Sequence, residues 1–271
     1  MVATDLALIK QRCARYRRRI LEISQGVSAL HVAPAFSCTE ITDAIYNELM
    51  VERDGADLSD IFIMSKAHGS MIQYVILESI GVLSKADLDH YCKQGGRLGA
   101  HPDYETPGIA ASTGSLGHGL GIAVGQAYAE QRKQSPVTFY VVLSDGELQE
   151  GSTWEALSMA ANLGLKNIVA VVDNNDFTSL ERISVGHPAF YPVVEKVAAF
   201  GWEATEVDGH DSREIIDAIS SRSRTKPFLL NAKTTKGKGV SFMENMNIWH
   251  YRSPNAEEYK IALDDIERAL S

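Results

Sequence analysis

The feature that most limits how this chain can fold is the alternation in its second half. The apolar runs "VTFYVVLSD", "NIVAVVDNN" and "PFLLNAKT", with a more polar strand ending in a turn, "EATEVDGHD", are separated by segments of helical spacing, "STWEALSMAANLG", "YPVVEKVAAFG" and "REIIDAISSRS". A run that is apolar at consecutive positions is buried on both of its faces. Strands of that kind joined by helices define an α/β fold, a mostly parallel sheet with helices on both faces. Such sheets bind ligands beyond the carboxyl ends of their strands. The residues that follow each apolar run are therefore the first candidates for chemistry.

The first half adds helices over 4–24, over "SCTEITDAIYNELM" with Ser37 or Thr39 as cap, and over "GSMIQYVILESIG", closed by Gly81. "DIFIMSKAH" reads as a short strand running into a polar turn. Residues 93–118 are rich in Gly, Pro and Thr and too long for a simple connection, which marks a functional loop. "GLGIAVGQAYAEQRK" reads as a small-residue helix able to pack closely under the sheet, and "PNAEEYKIALDDIERAL" as a final amphipathic helix. No repeat or linker interrupts the 271 residues, so one domain over 1–271 is expected.

A net charge of −9 argues against a nucleic-acid surface. Cys13, Cys38 and Cys92 are odd in number and form no CxxC pair, which points to a reducing cytoplasm. No apolar run approaches the roughly 18 residues of a membrane span. At the N-terminus basic residues follow apolar ones, the reverse of a signal peptide.

The sharpest chemical signal is "LSDGELQEG". A buried strand ends on Asp145 beside Gly146, and after 27 intervening residues the next strand ends on Asn174 and Asn175. A carboxylate at the edge of a core is costly unless a cation meets it. One carboxylate, one amide oxygen and a backbone carbonyl suit a hard cation such as Mg²⁺, which leaves coordination positions for a diphosphate. Gly146 permits close backbone approach, and the helix starting near Ser152 adds its positive end.

These residues resemble the thiamine diphosphate motif, Gly-Asp-Gly followed by Asn-Asn, with Ser144 in place of the first Gly. "DGELQEG", "TGSLGHGLGIAVG", "VDGHD" and "KTTKGKG" together resemble transketolases, in order and spacing, from the first helix to about Asn255. The resemblance implies thiamine diphosphate with Mg²⁺ (or Ca²⁺ or Mn²⁺ in its place). Asp145, Asn175 and the carbonyl of Phe177 would hold the metal, and Gly146 and Asn175 would contact the diphosphate. Gly114, Ser115 and Leu116 would line the cofactor. Glu150, counted with the cofactor contacts, and Glu155 stand where the family has acidic residues that link two cofactor sites across a subunit contact; a solvated helix start is the plain alternative. Lys236 and Lys238 either approach a phosphate or belong to an ordinary loop.

Four of the eight histidines lie in segments that resemble the family's active site: His31 in "ALHVAPAF", His68 in "MSKAHGS", His101 in "LGAHPDY" and His250 in "NIWHYRSP", where Tyr251 replaces a Gly. The resemblance implies a catalytic role for all four. His68 and His250 would lie by the diphosphate and the developing alkoxide, and His31 and His101 by the hydroxyls of the donor's two-carbon end. Imidazoles suit this work because they titrate near neutrality. The plain alternative for each is a surface or core histidine. His118 is expected behind the site at a helix start and His210 at a turn and helix cap, with His90 and His187 on the surface.

The family's remaining catalytic group, a Glu that hydrogen-bonds the aminopyrimidine ring, belongs to a pyrimidine-binding domain for which this sequence has no segment. "MVATDL" and "DDIERALS" read as native termini. The resemblance therefore implies the N-terminal subunit of a split transketolase. The pyrimidine-binding and C-terminal domains would sit on a separate C-terminal subunit in an α2β2 assembly. The reaction would move a two-carbon ketol unit from a ketose, as its phosphate, to an aldose. Two other readings stand beside it: an acyloin synthase or 2-oxo acid dehydrogenase α-type subunit, and a non-catalytic partner-binding module. Neither a nucleic acid nor a membrane is an expected partner.

Overall fold

The computed structural model describes residues 5–51 and 60–270. In chain order its elements are α1 (Leu6–Ser24), α2 (Val32–Ser37), α3 (Thr39–Ala44), β1 (Ile61–Met64), α4 (Ser70–Ser79), α5 (Lys85–Asp89), α6 (Gly119–Arg132), β2 (Phe139–Ser144), α7 (Gly151–Asn162) and β3 (Ile168–Asn174). They continue with α8 (Ile183–Gly186), α9 (Val193–Ala199), β4 (Glu203–Asp208), α10 (Ser212–Ser220), β5 (Phe228–Lys233) and α11 (Ala256–Arg268). A π-helical turn, Ile45–Leu49, extends α3.

The five strands pair in parallel in the order β1-β2-β3-β5-β4. β2 and β3 are buried at every position, as their unbroken apolar runs require. Alternate side chains feed two cores. Tyr140, Val142, Val169 and Val171 pack with α1 to α4, α10 and α11, while Val141, Leu143, Ala170 and Val172 pack with α6, α7 and α9. The chain steps outward from β2 through β3 to β4 over the second face, then returns inward to β5 through α10 on the first. Right-handed crossovers demand that change of face when the direction of travel reverses.

Helix ends follow local chemistry. Asp5 caps α1 through the N–H groups of Ala7 and Leu8, and Asn255 with Glu258 forms a capping box on α11. "SCTEITDAIYNELM" departs from expectation, because helix already begins at Val32 and is broken at Cys38. Ser37 and Thr39 therefore meet no free helix N-terminus to cap. Thr39 Oγ1 bonds back to the carbonyl of Ala35 at 3.0 Å, and Ser37 Oγ reaches Pro34 O and Asp173. His210 likewise is not the cap of α10; Asp211 is.

Candidate active site

Parallel pairing brings the carboxyl ends of β1, β2, β3 and β5 to one edge. There the tips of β2 and β3 are tied together. Asp145 N–H donates to the carbonyl of Asp173 at 3.3 Å. The Asp145 carboxylate accepts the N–H of Gly146 at 2.8 Å and that of Asp176 at 2.5 Å. Asp145 is completely buried. Burial first, and then the neighbouring Asp173 charge, raise its carboxyl to about 7.

Asp173, the penultimate residue of β3, organises the floor. It pairs with the Lys66 ammonium and accepts from Ser37 Oγ and Thr234 Oγ1. Burial works to raise its carboxyl, but Lys66 and these hydrogen bonds outweigh it and hold the group below the ordinary range. Asp173 also accepts from Asn175 Nδ2 at 3.3 Å, which fixes the Asn175 amide. Asn175 Oδ1 accepts the N–H of Phe177 at 3.1 Å and keeps a second lone pair. Asn174 turns to other partners, Asn231 Oδ1 and Tyr191 OH.

A third anchor, Glu147, is buried in the turn after Asp145. It accepts from Ser65 Oγ at 2.5 Å and from the N–H of Gly117 at 2.9 Å. The "TGSLG" loop is thereby held against the tips of β1 and β2. Burial raises the Glu147 carboxyl. At Gly114 a Cβ would lie 3.2 Å from His101 Nδ1, so glycine lets the loop rest on that ring. Ser115 is exposed, and Leu116 and Gly146 are half-buried. A Cβ at Gly146 would meet only Thr178, at 3.9 Å. The backbone there stands open to a ligand.

The four histidines converge. The His31 ring centroid lies 5.9 Å from that of His68, 6.2 Å from His101 and 5.3 Å from His250, and His68 lies 5.4 Å from His250. Burial lowers His31 to about 4 and His250 to about 3, and lowers His68 well below the usual range. All three are neutral at pH 7, so each ring nitrogen has a definite role. His31 Nδ1 lies 2.9 Å from the carbonyl of His250. A carbonyl only accepts, so Nδ1 carries the proton and Nε2 is an acceptor. Lys236 Nζ lies 2.9 Å from His250 Nδ1 and 3.1 Å from the carbonyl of Thr178. The ammonium donates, so His250 bears its proton on Nε2. The cluster thus presents one acceptor and one donor of opposite tautomer.

Burial and the nearby Lys66 charge lower Lys236 to about 8. Tyr251 stands half-exposed with its ring 4.5 Å from His31. Glu150 lies outside the cluster, exposed at the start of α7, with Glu155 exposed beyond it. His118 is exposed just before α6, with Nδ1 3.1 Å from the carbonyl of Leu116. His90 and His187 are exposed.

Sequence reasoning missed Lys66, Asp173, Glu147, Ser37 and Thr234. One signal was available: "VAVVDNN" places an acid inside an apolar run, which demands a buried cation, and the first strand runs into "MSK", which supplies one. Among the described residues no group of three or more His, Cys, Asp or Glu could hold a metal. The set named from the resemblance holds one carboxylate, one amide oxygen and one carbonyl. Donors of that kind suit a hard cation that takes its remaining ligands from water and phosphate.

Buried lysines, buried carboxylates and neutral imidazoles thus gather at the strand tips of a parallel sheet covered on both faces, the edge where α/β proteins bind their ligands. The chain belongs to the transketolase family: the family model of the transketolase, thiamine diphosphate binding domain matches residues 10–263. It is 35% identical over 263 residues to an apulose-4-phosphate transketolase subunit of Phocaeicola vulgatus, covering 94% of this chain and 92% of that one. It is 33% identical over 258 residues to 6-deoxy-6-sulfo-D-fructose transketolase subunit SqwG of a Clostridium species, covering 93% and 94%. The crystal structure of Campylobacter jejuni transketolase matches 97% of this chain with a TM-score of 0.89 at 27% identity. The chain spans 43% of that structure's chain and 40% of human transketolase. Among the described residues no helix is long and apolar enough to cross a membrane.

Proposed function

We propose that this chain is the diphosphate-binding subunit of a transketolase made from two kinds of polypeptide. It transfers a two-carbon ketol unit from a ketose phosphate to an aldose, and acts only with a cytoplasmic partner chain carrying the pyrimidine-binding domain, as an α2β2 assembly. Residues 1–271 form one domain in this reading. The observation that carries it is the convergence of His31, His68, His101 and His250 beside the joined tips of β2 and β3.

Asp145, Asn175 Oδ1 and the Phe177 carbonyl hold Mg²⁺ in this reading, and Gly146 and Asn175 meet the diphosphate. Asp145 fits, because a desolvated carboxyl at about 7 beside another acid gains from a divalent cation. Lys66 and Lys236 place two buried positive charges at the same edge, where a low dielectric strengthens their pull on phosphate oxygens. Gly114, Ser115 and Leu116 lie along the cofactor, and Glu150 reaches it from the subunit contact. Bound thiamine diphosphate supplies the carbon nucleophile and the electron sink.

The chain's own residues handle protons and orientation. His31 Nε2 accepts from a substrate hydroxyl, and His250 Nε2–H donates to an oxygen on which charge develops. His68 stands with His250 by the diphosphate and the developing charge, and His101 with His31 by the donor's hydroxyls. The lowered basicity of His31, His68 and His250 keeps those rings neutral, so in the free chain they serve as hydrogen-bond donors and acceptors of fixed sense and not as the groups titrating near neutrality that the sequence led us to expect. The test is to combine the purified chain with a purified candidate partner and assay ketol transfer. Activity is expected only in the mixture. Full activity of the chain alone would overturn the split assembly.

A further inference from the structure

Two consecutive residues clasp His31. Its Nδ1–H donates to the carbonyl of His250 at 2.9 Å. The ring of Tyr251, the next residue, lies against the imidazole with centroids 4.5 Å apart and planes at 45°. Tyr251 is closer to His31 than His250, His68 or His101, whose rings lie at 5.3, 5.9 and 6.2 Å. Among the described residues His31 Nε2 has no hydrogen-bond partner.

Tyr251 is 54% exposed, yet its place is fixed from both sides. His250 before it accepts from Lys236 Nζ at 2.9 Å. Arg252 after it lies over the Trp249 ring at 4.2 Å and bonds to Glu258 at 2.6 Å. Trp249 is itself buried and packs on Phe242, with centroids 5.0 Å apart. Gln25 Nε2 in turn donates to the carbonyl of Pro254 at 3.0 Å. The backbone that carries Tyr251 is therefore tied to α1, α11 and the core. Among the described residues its hydroxyl meets no hydrogen-bond partner, so what the side chain offers here is its ring.

A neutral imidazole has one protonated and one bare nitrogen, and the hydrogen bond made by one of them decides which is which. A single bond within reach of water shifts that choice by only about tenfold or less. His31 is partly exposed, so its bond to the His250 carbonyl is of this kind. An aromatic contact adds a further factor of about two to ten. The choice matters chemically. With the proton on Nδ1, Nε2 accepts from a hydroxyl; in the other tautomer Nε2 would donate, which suits a carboxylate oxygen instead.

We propose that Tyr251 is a positioning residue for His31: its ring holds the imidazole on the His250 carbonyl, so that Nε2 stays a bare acceptor for a substrate hydroxyl. The last clause rests on the reading in which His31 Nε2 receives such a hydroxyl. The hold itself is a property of this chain alone.

The test is nitrogen-15 spectroscopy of the full chain labelled at histidine, at pH 7 and without thiamine diphosphate. The His31 signals are assigned by their loss in His31→Gln. In the unaltered chain they show a protonated Nδ1 and a bare Nε2. Tyr251→Ala moves the His31 tautomer ratio about two- to tenfold toward a protonated Nε2. Tyr251→Phe keeps the unaltered ratio, because the ring and not the hydroxyl makes the contact. His68 and His250 keep their tautomers in both variants. An unchanged His31 ratio in Tyr251→Ala, a Tyr251→Phe variant that behaves as Tyr251→Ala does, or equal changes at all three histidines would overturn the proposal. Inactivity of the chain mixed with its partner would refute the transketolase reading and leave these spectra as they are, so the two failures are distinct.

Discussion

Lys66 and Asp173 form an ion pair in which neither side chain reaches solvent. The pair joins the end of β1 to the end of β3 across β2, so the two tips flanking the candidate cofactor site are set by one electrostatic contact. Hydrogen bonds to Asp173 from Ser37, Thr234 and Asn175 complete it.

Removing one partner leaves an uncompensated buried charge. Lys66→Met should destabilise the chain by about 3–5 kcal/mol. Asp173→Asn should cost less, because the amide keeps hydrogen bonds. The double variant Lys66→Met/Asp173→Asn should lose less than the sum of the two single losses. Urea unfolding of the three variants measures this, and strictly additive losses would contradict a direct pair.

The tautomer of His250 follows from Lys236. In the unaltered chain nitrogen-15 spectra of labelled histidine should show the His250 proton on Nε2. Lys236→Met removes the donor to Nδ1, so the proton should redistribute between the two nitrogens. An unchanged spectrum would assign the tautomer to another contact.

Stability should fall with acid. His31, His68 and His250 have folded-state values lowered from the ordinary 6.5, to about 4 for His31 and about 3 for His250. Below 6.5 the unfolded chain takes up protons that the folded chain refuses, so acid favours unfolding. The loss begins as pH drops through 6.5 and continues to about 3–4, with a limiting slope of about 1.4 kcal/mol per pH unit for each histidine, less one opposing slope from Asp145, whose raised carboxyl takes up its proton in the folded chain as pH falls from about 7 to 3.8. Glu40 adds a second loss as pH falls from 4.5 to about 2. Urea midpoints from pH 7.5 to 5 test the histidine part, and His68→Gln should flatten the slope.

The fold was legible because its signal is period and run length. β2 and β3 are apolar at consecutive positions, and the structure buries them on both faces. The meeting of Asp145 with the loop after β3 was legible for the same reason, since adjacent parallel strands end side by side. The Asp173 hub was not. Its partners Ser37, Lys66 and Thr234 are scattered along the chain, and only three-dimensional packing makes them neighbours. The caps proposed at Ser37 and Thr39 failed because Val32–Ser37 is already helical, so the side-chain oxygens had other acceptors nearby. His210 was assigned to a cap that Asp211 fills, which left its bond to Glu40 unforeseen.

Two glycines of α6 separate packing from exposure. At Gly119 a Cβ would lie 2.2 Å from Ser65 Oγ and 2.9 Å from Ser65 Cα, while at Gly125 it would meet nothing within 4 Å. Gly119→Ala should destabilise by about 1–3 kcal/mol through overpacking. Gly125→Ala should stabilise the isolated chain by about 0.5–1 kcal/mol. Equal effects would contradict the close approach of α6 to the end of β1.

The most direct measurement is binding of Mn²⁺, a spin-active substitute for Mg²⁺, read by electron paramagnetic resonance with and without thiamine diphosphate. The chain should take up one Mn²⁺ when thiamine diphosphate is present, and Asp145→Asn should lose that uptake while remaining folded. Equal Mn²⁺ uptake by the Asp145→Asn variant, or saturation with thiamine diphosphate while no metal is bound, would contradict a divalent ion held between the tips of β2 and β3.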